Sequence, residues 1–98
     1  MAIERDGDGF LLDMSTWNEE VMNEMASADG VELTEEMISH INLAREMYEN
    51  DSMVPRVRDF GKALGMDRKA KELYDIWKSG PMKQIAKYGG LPKPTGCV

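Results

Sequence analysis

One thiol dominates the chemistry open to this chain. Cys97, the only cysteine among 98 residues, stands next to last in the closing stretch LPKPTGCV. A cysteine is a nucleophile only as its thiolate, and an unperturbed pKa near 8.5 leaves only a small fraction ionised at neutral pH. Lys93 is the nearest cation in sequence, and Lys83 and Lys87 come within range if the segment folds back; all three favour the thiolate, whereas the carboxylate of Val98 opposes it. One cysteine forms no internal disulfide, and together with the one histidine, His40, it falls short of a four-ligand zinc site. The expectation is therefore no metal and no resident cofactor, with a lone sulfur as reagent. His40 has no catalytic partner in the sequence and reads as a helix-surface residue. The nine methionines read mostly as gap fillers at core positions.

The segment around Cys97 is suited to delivery. Pro92 and Pro94 donate no backbone hydrogen bonds and favour extended geometry, which reduces the freedom that docking must remove. Gly96 leaves room for another protein's backbone beside the sulfur, and Lys93 adds a positive charge for docking. The eight peptide steps from Gly89 to Cys97 span at most about 26 to 29 Å. These residues define an arm, 89–98, expected to be mobile, on a single domain, 1–88.

The elements that must position this arm are mostly helical. IERDGDGFLL, with β-compatible pieces around a DGDG turn signal, predicts a small N-terminal β-hairpin. Thr16 and Glu19 fit a capping box for a first helix whose Val21, Met25 and Ala28 share a face before Asp29 and Gly30 stop it. Thr34 caps a second helix with Met37, Ile41, Ala44 and Tyr48 on its core face. Pro55 starts a third, running to Leu64, and Asp67 caps a fourth with Ala70, Leu73, Tyr74 and Trp77 in one stripe. Ser79-Gly80-Pro81 restarts the chain in a short helix through Tyr88, which Gly89-Gly90 ends. The expected fold is mainly α: a small orthogonal helical bundle with a helix-turn-helix-like pair, an N-terminal hairpin and a flexible C-terminal arm.

Charge narrows the partners. The net charge of −6 disfavours general affinity for nucleic acid or anionic membranes. It is unevenly spread: residues 1–51 hold two arginines against fourteen acids, a balance of −12, and residues 52–98 hold ten bases against four acids, a balance of +6. After Asp75 no acidic side chain follows, a pattern that reads either as ordinary surface solvation or as a face for docking to an acidic partner surface. No apolar run approaches the roughly 20 residues of a membrane span, and MAIERDGDGF lacks the blocks of a signal peptide, so the expected compartment is the cytoplasm.

The ending LPKPTGCV, preceded by GPMKQ at Gly80 to Gln84, resembles the C-terminal signature of the DsrC/TusE family, whose DsrC branch is also called the gamma subunit of dissimilatory sulfite reductase. The resemblance extends through WNEEV at Trp17 to Val21, LTEE at Leu33 to Glu36, Ile41-Asn42, Arg45, Tyr48, Pro55, Val57-Arg58, Lys62-Ala63, Gly65 and Leu73-Tyr74. It implies a small helical domain whose penultimate cysteine carries sulfur between proteins as a transient persulfide. The DsrC branch has a second cysteine eleven residues earlier, a position held here by Ala86. The intramolecular disulfide of that branch is therefore closed to this chain, and the resemblance leans to the single-cysteine TusE type. That type implies relay proteins of TusBCD or DsrEFH type as donors and an MnmA-type tRNA 2-thiouridylase as acceptor, with sulfite reductase as the partner in a DsrC-like role. Arg58 and Lys62 match basic positions of the family, one turn apart, and are candidates for a cationic cradle around the sulfur.

Two other readings compete. A regulatory gamma subunit of sulfite reductase would use the arm for docking. A helix-turn-helix DNA-binding regulator would use the pair at 55–78, with Arg56, Arg58, Lys62, Arg68, Lys69 and Lys71 as its positive charge. The acidic N-terminal half weighs against the latter, as does the scaffold explanation of the same helices.

Overall fold

The first helix begins two residues later than a Thr16 cap would place it. Asn18, in extended backbone, accepts the N–H of Val21 at 2.8 Å and so caps α1, Glu19–Ala28. Thr16 lies instead in a 3-10 turn, Met14–Thr16, capped by Asp13, and its hydroxyl donates to the Asp13 carbonyl at 2.6 Å. The computed structural model describes residues 3–66, 70–78 and 80–93.

Thr34 caps α2, Glu35–Asp51, as its position predicts, accepting the N–H of Met37 at 3.2 Å. Glu35 and Glu36 sit in the first turn, where the helix dipole favours negative charge. After Ser52 the chain turns into α3, Val57–Ala63, then α4, Lys71–Trp77, and α5, Pro81–Tyr88. Residue 67, the expected cap of α4, falls outside the described residues. The helix itself starts after Ala70, which stands at φ 48° with no side-chain cap.

The apolar positions of these helices meet around α5, which packs against α1, α2 and α4. Val21, Met22 and Met25 of α1, Ile41 and Ala44 of α2, Leu73 and Trp77 of α4, and Met82, Ile85 and Ala86 of α5 are all buried. Each larger side chain among them contributes on the order of 1.5 to 3 kcal/mol by leaving water. Met22, Met25 and Met82 fill this interior, matching the gap-filler reading, whereas Met53 is exposed.

Two expectations need correction. Among the described residues there is no β-strand, and the N-terminal hairpin is replaced by a tight turn closed by a single antiparallel bridge, Arg5 with Leu11. The reason is local competition for the backbone. The Asp6 carboxylate takes the N–H groups of Asp8 and Phe10 at 2.8 and 3.0 Å, and the Arg5 side chain takes the Gly9 carbonyl at 2.7 Å, so backbone pairing goes no further than the Asp6 N–H to Phe10 and Leu12 N–H to Glu4 bonds that flank the bridge. His40 is likewise not on the surface. It is 3% exposed, its Nδ1 accepts the Trp77 indole N–H at 3.2 Å, and its ring meets Phe60 edge-on at 5.9 Å. The seven-residue helices α3 and α4, read in sequence as a helix-turn-helix-like pair, thus both reach this one side chain of α2.

Candidate functional site

The site is built where α5 ends and the arm begins. Gly89 donates its N–H to Ile85, Gly90 to Lys87 and Leu91 to Ala86, at 2.9, 3.3 and 2.9 Å, so the chain reverses over the last turn of the helix. Leu91 is then buried, 3% exposed, although it belongs to the stretch read as arm. The carbonyls of Tyr88 and Gly89 point away from this turn. The indole Nε1 of Trp17 donates to the first at 2.7 Å, and the Arg45 guanidinium donates to the second.

Those two donors also hold each other, with the guanidinium carbon of Arg45 3.7 Å from the centre of the Trp17 ring. Burial lowers the pKa of Arg45, an effect that neighbouring Glu49 partly offsets. Gly90 lies against the same indole at φ 68°, and a Cβ there would come within 2.6 Å of Trp17 Cδ1. Only glycine combines that backbone with that proximity. Beside the bracket a cleft of about 420 Å³ opens between α2 and Leu91, with Arg45, Tyr48 and Glu49 on its wall.

A second cluster anchors the other side of the arm root. Asp29, at the C-terminal end of α1, accepts two bonds from Arg5 at 3.2 and 2.7 Å and one from the Tyr88 hydroxyl at 2.9 Å, with Lys87 Nζ 3.7 Å away. The Arg5 hydrogen bond holds the Asp29 carboxyl below the usual carboxylate range, while burial and the Asp29 acceptor push the Tyr88 phenol far up. Lys93 pairs with Asp8 of the N-terminal turn and lies 5.8 Å from the Phe10 ring centre. Its hydrogen bond to Asp8 raises the lysine pKa and lowers that of the aspartate.

Of the residues singled out in sequence, Pro92 and Lys93 are exposed on the described part of the arm. Pro94, Gly96 and Cys97 lie outside the described residues. Arg58 and Lys62 are exposed on α3, and no hydrogen bond or ion pair among the described residues joins them to residues 89–93. Ala86, the position of the second cysteine in the DsrC branch, is a fully buried residue of α5. No group of three or more metal-binding side chains occurs among the described residues, and no helix there is long and apolar enough to cross a membrane.

In the sequence Trp17 and Arg45 are points of family resemblance with no task attached to them. One signal was available. Arg5 and Arg45 are the only arginine or lysine residues in 1–51, and both reach across to backbone or side chains that fix the arm root.

Comparison with known proteins bears on the whole chain. The family model described as DsrC like protein matches residues 1–98. The "Sulfite reductase, dissimilatory-type subunit gamma" of Nitratidesulfovibrio vulgaris is 36% identical, over 99% of this chain and 91% of that one. The "Sulfurtransferase TusE homolog" of Haemophilus influenzae is 35% identical, over 100% of this chain and 94% of its own length. In three dimensions the chain is similar to Allochromatium vinosum DsrC, solved by NMR, with a TM-score of 0.82, 42% identity and coverage of 98% and 90%.

Proposed function

The chain belongs to the DsrC-like protein family along its whole length, and from that premise we propose that it is a sulfur carrier whose Cys97 accepts a persulfide sulfur from one protein and hands it to another. One observation carries the reading: the only thiol in the sequence is the penultimate residue, six positions beyond the anchored Leu91. Those six steps allow a reach of about 20 to 22 Å from Leu91, enough to enter a partner's site while the helical body stays outside.

The step is an exchange at sulfur. Cys97 thiolate attacks the terminal sulfur of a donor cysteine persulfide, a new S–S bond forms to Cys97, the donor's S–S bond breaks, and its electron pair leaves on the donor cysteine as thiolate. No external oxidant or reductant is consumed, because the transferred sulfur keeps its oxidation level. Delivery repeats the event with an acceptor thiolate attacking the outer sulfur of loaded Cys97. Such exchange needs alignment and a competent leaving thiolate more than a general base. The proposed donors are relay proteins of TusBCD or DsrEFH type, and the proposed acceptor is a tRNA thiolase of MnmA type. Arg58 and Lys62 are proposed to attract the anionic sulfur when it is not engaged.

A second reading takes the sulfite reductase gamma subunit as the guide, since that relative is as similar as the TusE-type one. Alanine at residue 86 removes the second thiol, so under this reading too the chain carries sulfur on Cys97 alone.

Intact-mass analysis after mixing with a persulfide-loaded sulfurtransferase tests the proposal. The expected result is one added sulfur atom on Cys97, absent in Cys97→Ser, that leaves on addition of an acceptor protein thiol. Failure to load, or loading without onward transfer, refutes a carrier. Stable co-purification with sulfite reductase selects the second reading.

A further inference from the structure

The carbonyls at the C-terminal end of a helix lack intrahelical donors and are commonly served by a local backbone turn or by water. In α5 the local turn serves Ile85, Ala86 and Lys87. The last two carbonyls before the arm departs, those of Tyr88 and Gly89, are served from outside by Trp17 and Arg45, which lie 71 and 44 positions away in sequence. Arg45 has Glu46 beside it and Glu49 one turn on, yet its guanidinium makes no ion pair with either among the described residues and goes to a neutral carbonyl instead. Gly90 fits flush against the indole, and Leu91 closes the turn from within the core.

We infer that Trp17 and Arg45 are positioning residues for sulfur transfer: their bracket fixes the place and direction in which the arm leaves the body, and so limits where Cys97 is presented to partner proteins. This inference rests on the sulfur-carrier reading. Its size follows from tether length. An arm released at Gly89 has eight steps to Cys97 and a reach of about 26 to 29 Å, whereas one held at Leu91 has six and about 20 to 22 Å. The accessible sphere shrinks to roughly two-fifths of its volume, which alone raises the effective concentration of the thiol near the body about twofold. A fixed exit direction removes part of the remaining sphere, and alignment of the reacting sulfurs gains accordingly.

Trp17→Phe keeps the ring under Arg45 and removes the indole donor; Arg45→Lys keeps the charge and loses the planar fork; Arg45→Met loses both. For each, the loaded protein delivers sulfur in parallel to an acceptor protein thiol and to free cysteine. Protein-to-protein delivery is expected to fall by about three- to tenfold in Trp17→Phe and Arg45→Met, with Arg45→Lys between them and the parent. Delivery to free cysteine, which needs no presentation, should stay at the parent rate. A ratio of the two rates equal to the parent's in folded variants overturns the inference.

A separate set, with spin labels on Cys97 and on a cysteine at Ser39→Cys, reads the arm without any sulfur chemistry. Its distance distribution should broaden in Trp17→Phe, and an unchanged distribution counts against the bracket. If the parent neither takes up nor passes on sulfur, the carrier reading fails and these distances alone decide the bracket. Circular dichroism establishes folding, and should Trp17→Phe not fold, Arg45→Lys carries both measurements.

Discussion

His40 shows how one side chain can tie protonation to stability. Its Nδ1 accepts the Trp77 indole proton, so the buried ring must be neutral, and burial lowers its pKa below the ordinary 6.5 despite the opposing pull of Glu36. The unfolded chain then binds the proton more readily than the folded one, so the stability this histidine supports is fully present above about pH 6.5 and declines as pH falls below it. Urea midpoints at pH 7.5 and 5.5 should show that decline, and His40→Gln, which keeps an acceptor without titrating, should flatten it. Asp29 acts in a lower window. Its pKa is depressed by Arg5, so its contribution is present above the ordinary aspartate value near 3.8 and lost as pH falls through the folded one. Asp29→Asn should cost about 1 kcal/mol at neutral pH, by chemical denaturation, because Arg5 and Lys87 lose their shared partner. At this scale the type and chain position of Cys97 are read directly from the sequence. The same sequence put His40 on the helix surface, because one polar residue among helix positions carries no mark of the indole that will meet it 37 residues later.

Helix starts separate what is local from what is not. The Thr34 cap was legible because threonine, two glutamates and the apolar spacing after them agree. The Thr16 box was equally plausible and did not form, since Asp13 recruits Ser15 and Thr16 into a turn of their own and Asn18 takes over the cap. Asn18→Ala should therefore lower stability by about 1 kcal/mol, whereas Thr16→Ala should cost clearly less, as read from thermal melts of the two variants. The N-terminal turn repeats the point. DGDG does reverse the chain, but Asp6 spends its carboxylate on the turn's own N–H groups and the paired strands do not extend. The bracket at the end of α5 lies beyond local reading altogether, because its donors come from the segment before α1 and from α2. Glycine at residue 90 was read only as a helix stop, whereas in the fold it is also the one residue that fits against Trp17.

Across the whole molecule the N-terminal turn meets the arm root. Lys93 of the arm pairs with Asp8 of the N-terminal turn, joining the basic C-terminal half to the acidic N-terminal one four residues before Cys97. Both side chains are about half exposed, so the attraction between them is screened by salt, unlike the buried contacts of Leu91. The arm root therefore has an inner hold that ignores ionic strength and an outer hold that responds to it. With a fluorophore on Cys97, anisotropy should fall as salt rises from low millimolar to about 0.5 M, where the Debye length drops below the span of a few side chains. Asp8→Asn removes the outer hold, and its anisotropy should start near the parent's high-salt value and change little. If the two proteins instead trace the same curve, the pair does not restrain the arm, and the charge division between the halves then acts only on partners.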